Sequence, residues 1–383
     1  MTDLKFGTSG VLFPPIALGA QAAKGYEDAG VDFLAYWDQL NLITPRSIWT
    51  PDLVPAAEYW NIDTWLEPYP AMTAAALATQ HVEFMTVNDS LRRPPALLAQ
   101  LGLTMSHVTE GRFIHCLGAG ETKQFTPYGL ARSKPFGHLE EALKIIRMFH
   151  ESTEPVNYEG PIWTLSDAIV GLHPFEGIPP KLMVAGGPGK AMQFGATLAD
   201  GWMTYVPCCA SPEQYAEQVA AFKTQAERAG KDSEELIIMV GLANLIAEDE
   251  NILDEIARNT AIRWEVAAMW PEGESFKRVL GRDNPLGANW SYPRDLVPMS
   301  ITREHAISIA DQITPDDVRM ARFLGTPQQV ADQVQPWIDA GATHVLSYNF
   351  AGFVAPAAPD GVNRAEVDFF NILRERNTAS VPA

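Results

Sequence analysis

The stretch KLMVAGGPGK, residues 181–190, is the segment around which the rest of the chain is organised. Residues 182–185 form an apolar run long enough for one buried strand, and a glycine-rich turn follows directly. The apolar spacing from residue 190 to 198 then predicts a helix. A strand that ends in such a turn leaves free backbone N–H groups at the helix N-terminus, where the helix dipole also attracts anions. We therefore predict a phosphate-binding unit here, with a tight turn that binds nothing as the alternative.

This unit matches neither of two well-known phosphate motifs. A P-loop needs a glycine at position 184 and a serine or threonine at position 191, and the chain has Val184 and Ala191 there. The turn also lacks the G-x-G-x-x-G spacing of dinucleotide-binding folds. The residues therefore indicate an anion site of another kind.

The composition is that of a globular enzyme with an excess of acidic residues. The 383 residues carry a formal net charge of -19, which argues against nucleic acid or an anionic membrane as partner and leaves a small-molecule substrate. The cysteines Cys116, Cys208 and Cys209 are too few for a disulfide framework and lack zinc spacing. We therefore expect no metal and a cytoplasmic location, and we interpret the adjacent Cys208 and Cys209 as small apolar fillers. No signal-peptide pattern or membrane-spanning apolar run is visible.

Eight apolar segments alternate with helical patterns along the chain. This alternation predicts a parallel sheet, because neighbouring parallel strands need crossover connections. A count of eight favours a closed (β/α)8 TIM barrel over an open sheet. The predicted strands cover residues 4–9, 31–37, 82–87, 112–117, 182–185, 202–206, 235–242 and 344–348.

The chain is longer than a bare barrel, which needs about 250 residues. The surplus falls mainly after the second, fourth and seventh strands, and it includes a proline-rich connection at 152–180 and an insertion at 244–325. Because barrel active sites lie at the carboxyl ends of the strands, we expect these insertions to wall a large pocket. For the last insertion, which contains Trp264 and Trp270, packing of a dimer is the alternative. We predict one domain over residues 1–383, with a boundary near residue 244 as the alternative.

Several predicted strand ends carry residues that suit catalysis or cofactor binding. In a barrel, Asp38 and residues 86–89, 118–121 and 185–187 all lie on one face. Two glycine turns on this face suit phosphate, and its carboxylates could orient a ring or transfer protons. Basic residues that suit a longer anionic tail are Arg92, Arg93, Lys123, Arg132 and Lys134. For Arg92 and Arg93 the alternative is a solvated pair.

The sequence resembles the bacterial luciferase-like superfamily, and within it the branch that depends on the deazaflavin coenzyme F420. Nearly the whole chain shares the resemblance, which is greatest toward phthiodiolone dimycocerosate ketoreductase-like proteins. The similar segments are residues 38–41, 45–48, 118–121, 127–129, 134–135, 140–143, 284–288 and 325–327. The resemblance implies a TIM barrel, a homodimer, and coenzyme F420 bound across the carboxyl-terminal mouth.

The resemblance also implies roles for individual residues. Asp38 matches an acidic residue near the deazaflavin ring, and Thr86–Val87 matches a bulge that often contains a non-proline cis peptide bond. The residues that would bind the coenzyme are Asp38, Thr86, Val87, Asn88, Gly118, Ala119, Gly120, Glu121, Ala185, Gly186 and Gly187.

One departure from the resemblance concerns the proton donor. Many relatives have histidine directly after the aspartate, whereas this chain has Gln39, and glutamine cannot act as a general acid near neutral pH. Asp38, Gln39 and Glu121 are the candidate catalytic residues. We predict that Glu121 is the acid and that it lies in an apolar, water-poor pocket.

The leading hypothesis is an F420-dependent oxidoreductase that transfers a hydride between reduced F420 and a carbonyl or other electron-poor carbon. An FMN-dependent monooxygenase on the same fold is the first alternative. The others are a barrel hydrolase that uses Asp38, Asp89 and Glu121 as acid and base, and a non-catalytic flavin-binding protein. The glucose 6-phosphate specificity of some relatives is not expected, because their phosphate-binding residues find no clear match.

Overall fold

The computed structural model describes residues 4–355 and 358–379. It consists of strands and helices that alternate through most of the chain. The strands are β1 (Lys5–Ser9), β2 (Phe33–Trp37), β3 (Glu83–Asp89), β4 (Phe113–Gly118), β5 (Val156–Glu159), β6 (Thr164–Ala168), β7 (Lys181–Ala185), β8 (Gly201–Val206), β9 (Ile237–Ile246), β10 (Phe323–Gly325) and β11 (His344–Asn349). The α-helices are α1 (Ile16–Asp28), α2 (Pro68–Leu77), α3 (Pro95–Val108), α4 (Pro135–Glu151), α5 (Lys190–Thr197), α6 (Pro212–Arg228), α7 (Leu253–Arg258), α8 (Thr260–Ala268), α9 (Gly273–Leu280), α10 (Tyr292–Asp295), α11 (Arg303–Ala310), α12 (Pro315–Ala321), α13 (Pro327–Asp339) and α14 (Arg364–Ala379).

Eight of these strands close into a parallel barrel. Its order is β1, β2, β3, β4, β7, β8, β9 and β11, and β11 returns to pair with β1. The ring is closed by the parallel pairing of β8 with β9, in which Met203 faces Met239. The predicted (β/α)8 TIM barrel is confirmed.

Side chains that alternate along the barrel strands fill the interior. Met85, Met183, Met203 and Met239 come from four different strands and pack there with neighbours such as Phe33. Flexible thioether side chains fill an irregular interior well because they adapt to the space available. The alternate residues of the same strands pack outward against the helices and form the larger core between barrel and helices.

The insertions follow the second, fourth and seventh barrel strands, as predicted. The proline-rich connection at 152–180 contains an antiparallel hairpin of β5 and β6 that was not predicted from the sequence. The alternation of polar and apolar residues in this hairpin is too short to stand out in the sequence. No helix among the described residues has the length and apolar character needed to cross a membrane.

The last insertion forms a second hydrophobic core with the segment that follows β2. Trp264 and Trp270 are fully buried in this core together with Ile48. The indole nitrogen of Trp264 donates to the carbonyl of Ile43 at 3.2 Å. These two tryptophans therefore hold the insertion onto the barrel and do not themselves form an exposed substrate wall.

Candidate active site

Asp38 follows β2 at the carboxyl-terminal mouth of the barrel, and three side chains bind its buried carboxylate. The Oδ2 atom accepts hydrogen bonds from Nδ2 of Asn88 at 2.9 Å and from Nε of Arg93 at 3.3 Å. A guanidinium nitrogen of Arg92 lies 3.2 Å from the same oxygen. All three contacts reach Oδ2, so Asp38 is held in an internal network with Asn88, Arg92 and Arg93.

The two arginines also bind the carboxylates of neighbouring residues. Arg92 pairs with Asp89, whose Oδ1 accepts from the backbone amide of Arg92 at 2.7 Å. Arg93 donates to Oε1 of Glu67 at 2.7 Å. The side chains of Arg92 and Arg93 are only 11% and 24% exposed. The solvated-pair alternative is therefore wrong, and neither arginine is available for the anionic tail that the sequence suggested.

Lys123 links the loop after β4 to the loop after β2. Its ammonium group is buried and donates to Oε1 of Gln39 and, at 2.9 Å, to the carbonyl of Asn41. The neighbouring Gln124 accepts from the amide of Leu40 at 2.8 Å. Burial lowers the pKa of Lys123, and the nearby Glu121 carboxylate opposes that effect. Lys123 is thus committed to internal contacts and is not a surface ligand for an anion.

Glu121 lies beside this lysine. Its Oε2 atom is 3.1 Å from Nζ of Lys123, and its Oε1 atom accepts from the hydroxyl of Tyr292, which belongs to α10 of the last insertion. The Glu121 side chain is 24% exposed. The expectation of an apolar pocket was wrong, since an ammonium group and a phenol surround this carboxylate.

The turn after β7 has the unpaired amides that the sequence predicted. Gly186 is fixed by its own backbone, because its amide donates to Met203 at 3.0 Å and its carbonyl accepts from the indole of Trp202 at 2.8 Å. In the described part of the chain, the amides of Gly187, Gly189 and Lys190 have no hydrogen-bond acceptor. These amides precede the eight-residue helix α5. They suit an anion such as a phosphate group.

Gly187 and Gly189 have different roles in this turn. Gly189 has a φ of +96°, in the region that other residues rarely adopt. At Gly187 the space is open, since a Cβ atom would have only the Cys209 sulfur within contact range, at 3.9 Å. A ligand can therefore approach the Gly187 backbone closely. The second glycine turn is adjacent, because Gly118 pairs with Ala185 in the sheet.

The predicted residues of β3 divide between two faces of the sheet. Val87 packs with the barrel interior, whereas Asn88 accepts a hydrogen bond from the hydroxyl of Tyr69 on α2 at 3.1 Å. Thr86 is fully buried. The expected cis peptide at Thr86–Val87 was wrong: the cis bonds of the described residues are Pro14–Pro15 and Val206–Pro207. Regular pairing of both residues with β4 keeps β3 straight at this point.

Three aromatic side chains at the inner end of the mouth were missed from the sequence. The ring centroids of Trp37 and Tyr348 are 4.6 Å apart, and those of Tyr205 and Tyr348 are 6.4 Å apart. The indole nitrogen of Trp37 is buried and has no hydrogen-bond partner among the residues that the structure describes. The signal was strand alternation: because Phe33 and Ala35 face inward, Trp37 must also face inward.

The remaining predicted residues lie at the rim of the same mouth. Ala119 packs partly against the helix layer beside β4. Gly120 has a φ of +72°, and its carbonyl accepts from Nε of Arg132 at 2.8 Å. Lys134 is exposed and precedes α4. Arg132 and Lys134 are thus the predicted basic residues that could still meet an anionic tail. No group of three or more metal-ligating side chains was found among the described residues.

A parallel eight-stranded barrel carries unpaired backbone amides and the aromatic rings of Trp37, Tyr205 and Tyr348 at its carboxyl-terminal mouth, which is the architecture of a TIM-barrel enzyme. The family model for luciferase-like monooxygenases matches residues 12–344. The chain therefore belongs to the luciferase-like monooxygenase family.

Two curated relatives indicate the class of reaction. The phthiodiolone/phenolphthiodiolone dimycocerosates ketoreductase of Mycobacterium tuberculosis is 28% identical over 360 residues, which cover 91% of this chain and 93% of the relative. The 5,10-methylenetetrahydromethanopterin reductase of Archaeoglobus fulgidus is 26% identical and covers 76% of this chain and 82% of its own. These relatives identify the chain as an oxidoreductase.

Solved structures share the fold at low sequence identity. An F420-dependent secondary alcohol dehydrogenase in complex with an F420-acetone adduct has a TM-score of 0.69 and 19% identity, and covers 97% of this chain and 98% of its own. The coenzyme F420 dependent tetrahydromethanopterin reductase from Methanopyrus kandleri has a TM-score of 0.70 and 16% identity, with coverage of 96% and 97%. A riboflavin lyase with modified FMN has a TM-score of 0.65, 16% identity and coverage of 98% and 92%.

Proposed function

We propose that this oxidoreductase uses coenzyme F420 to transfer a hydride between reduced F420 and a carbonyl or other electron-poor carbon of a small organic substrate. One observation carries the proposal. The unpaired amides of Gly187, Gly189 and Lys190 lie at the same barrel mouth as the aromatic rings of Trp37, Tyr205 and Tyr348. The choice of F420 over FMN is supported by the names of two solved structures with the same fold.

The residues at the mouth suit both the phosphate group and the ring of such a coenzyme. The free amides of the turn after β7 would bind a phosphate group, and the buried indole N–H of Trp37 offers a donor to a polar edge of the ring. Tyr348 and Val87 line the same inner surface and exclude water from it. When bound, F420 supplies the hydride acceptor and donor, and the protein orients the two reactants and excludes competing reactions.

Carbonyl reduction also needs a proton for the new alkoxide. Gln39 cannot supply it, but the oxygen of Gln39 accepts a hydrogen bond from the buried ammonium group of Lys123. Glu121 lies 3.1 Å from the same ammonium group. We infer that Lys123 and Glu121 hold the proton together in place of the histidine found in many relatives. The lowered pKa of Lys123 moves this group toward the range in which a general acid is effective.

The last insertion would supply part of the substrate wall. Its α10 reaches the mouth, because the hydroxyl of Tyr292 donates to Glu121. Trp290 and Met269, like Tyr292, are partly buried and pack against the insertion core. We further propose a single functional domain in the cytoplasm, and a homodimer, as the resemblance implies.

Cofactor titration tests this proposal directly. The purified protein is titrated with F420 and with FMN while absorbance and intrinsic fluorescence are followed, and reduced F420 is then offered with ketones, enones and nitroaromatics. We expect F420 to bind with a dissociation constant in the micromolar range or below, and FMN to bind much more weakly. Binding of FMN with no response to F420 would overturn the proposal in favour of an FMN-dependent monooxygenase.

A further inference from the structure

Cys208 and Cys209 lie directly after β8, at the same mouth as the anion-binding turn. Their sulfur atoms are 3.9 Å apart, and both residues are half-buried. Cys116, by contrast, is fully buried inside the barrel. The interpretation of the adjacent pair as apolar fillers accounts for the packing of Cys208 against the insertion core, but not for the closeness of the two thiols.

The surroundings make the two thiols unequal. The hydrogen bond to the Cys208 thiol, followed by contacts with Thr204 and the Tyr205 backbone, lowers the pKa of Cys209 to about 7, and Arg278 adds to the effect. The same hydrogen bond and burial raise the pKa of Cys208. A thiolate is the reactive form of cysteine, so Cys209 is the nucleophile and Cys208 is the protonated neighbour.

We propose that Cys208 and Cys209 form a redox-sensitive dithiol that a hydroperoxide converts into a disulfide. The Cys209 thiolate attacks the peroxide, the O–O bond breaks, and Cys209 becomes a sulfenic acid. The alkoxide or hydroxide that leaves takes up the proton that the Cys209 thiol had released, and becomes an alcohol or water. The Cys208 sulfur then attacks this sulfur, the S–O bond breaks, and water leaves with the Cys208 proton. In sum, two thiols lose two electrons and two protons, and the hydroperoxide is reduced to an alcohol or water, with one further water.

The disulfide would form in a turn that can return to the dithiol. The two sulfur atoms must approach from 3.9 Å to about 2.05 Å, which requires the turn to adjust. A disulfide between adjacent residues is strained, and strained disulfides are reduced more readily than structural ones. The modification is therefore reversible by a thiol reductant.

The position of the pair connects its redox state to the proposed coenzyme site. The Cys209 sulfur would lie 3.9 Å from a Cβ atom on Gly187, next to the free amides. Arg278 of α9 donates to the carbonyl of Cys208 at 2.9 Å, so the turn is attached to the last insertion. Adjustment of this turn therefore changes the space beside the amides. This second step rests on the proposed function, whereas disulfide formation does not.

The test compares the reduced parent with the variants Cys208→Ser, Cys209→Ser and, as a matched control, Cys116→Ala. Each protein is treated with hydrogen peroxide, unreacted thiols are alkylated, and intact mass and peptide mass are measured. We expect the parent and Cys116→Ala to lose two hydrogen atoms at the 208–209 peptide and to regain them with dithiothreitol. We expect neither Cys208→Ser nor Cys209→Ser to lose two hydrogen atoms at this peptide. A parent that keeps both thiols alkylatable, or gains only oxygen atoms, would overturn the proposal.

A second measurement tests the effect on the coenzyme. F420 affinity is measured for the parent in the reduced, oxidised and re-reduced forms, and circular dichroism confirms that each form is folded. We expect oxidation to weaken binding by tenfold or more and reduction to restore it. Unchanged affinity in the disulfide form would overturn the link to the site. Failure of the reduced parent to bind F420 would instead count against the proposed function, while the mass measurement still decides disulfide formation.

Discussion

The two sides of the barrel mouth are built in different ways. On the side of β2 and β3, Asp38, Asp89, Arg92 and Arg93 bind one another and are largely buried. On the side of β7 and β8, the backbone amides of Gly187, Gly189 and Lys190 have no acceptor in the described part of the chain. The charged side chains on the first side therefore hold loops in place, whereas the unpaired backbone groups on the second side are left for a ligand.

This comparison predicts where substitutions should affect stability and where they should affect binding. Removing one partner of a buried ion pair leaves an uncompensated charge, which is strongly destabilising. Adding a side chain to an open glycine blocks the approach of a ligand but removes no internal contact.

The largest effect is expected for Asp38→Ala on the paired side. The substitution removes a partner that Arg92 and Arg93 share, and we expect the free energy of unfolding to fall by about 3 kcal/mol. Urea unfolding measures this change. The control is Asp283→Ala, which breaks an exposed pair with Lys277 and should cost less than about 1 kcal/mol. Equal effects of the two substitutions would show that the paired side does not stabilise the fold.

On the open side, Gly187→Val should weaken F420 binding by about 100-fold, or about 2.7 kcal/mol, and leave the unfolding free energy nearly unchanged. The space around Gly187 allows the new side chain, since its Cβ would meet only the Cys209 sulfur. Isothermal titration and urea unfolding measure the two quantities. Gly171→Val is the control, because a Cβ there meets no atom within 4 Å. Binding as tight as in the parent would mean that the phosphate lies elsewhere.

Glu121→Gln tests the proposed proton donor, which contacts Lys123 and, through Tyr292, the last insertion. If Glu121 shares the proton with Lys123, turnover should fall by about 100-fold with little change in F420 affinity. The measurement is single-turnover oxidation of reduced F420 across the pH range. Tyr292→Phe is the control, since it removes the hydroxyl contact to Glu121 and keeps the carboxylate. Parent-like rates for Glu121→Gln at every pH would assign Glu121 a structural role.

The smallest effect is a dependence of stability on pH, and it comes from two buried histidines away from the mouth. His115 lies on the outward face of β4, and His150 lies on α4. Burial lowers the pKa of His115 to about 3 and that of His150 to about 4. Below about pH 6.5 the unfolded chain binds protons that the folded protein excludes. Each histidine should therefore lower the unfolding free energy by about 1.4 kcal/mol per pH unit as the pH falls from 6.5 toward these values.

The control for this prediction must allow for carboxyl groups that act with the opposite sign. Burial raises the pKa of Glu265 and of Glu366 to about 7, so their contribution to stability is lost as the pH rises from about 4.5 to 7. The quantity to compare is therefore the difference in pH slope between the parent and His150→Leu. An identical slope in the two proteins between pH 5 and 6.5 would show that His150 is not excluded from protonation.

The barrel was predictable because its strands are local apolar runs separated by turn residues. The run at 182–185 became Lys181–Ala185, and the free amides after it depend only on the glycines next to it. The length of β9 was not predictable, since its end pairs with β10, which lies far along the chain. A local pattern contains no information about such a partner.

The sequence predicted which residues lie at the barrel mouth, but not which of their side chains bind one another. Residues at strand ends must share one face of a barrel, so Asp38, Glu121 and Gly187 were placed correctly at the mouth. Arg92 appeared to be a surface residue because its partner Asp38 is 54 residues away in the sequence. Trp37 carries no charge, and only the strand alternation that it shares with Phe33 and Ala35 places it inward.

The base of the last insertion has a consequence for how the protein can be modified. The amide of Ala247 donates to the carbonyl of Gly325 at 3.2 Å, and β10 pairs with the far end of β9, so the insertion begins and ends at one place. A segment whose ends already meet can be exchanged for another of different length without reopening the barrel. The length of this region can therefore change without reopening the barrel, whereas the side chains that it packs against the segment after β2 must be kept to preserve their shared core.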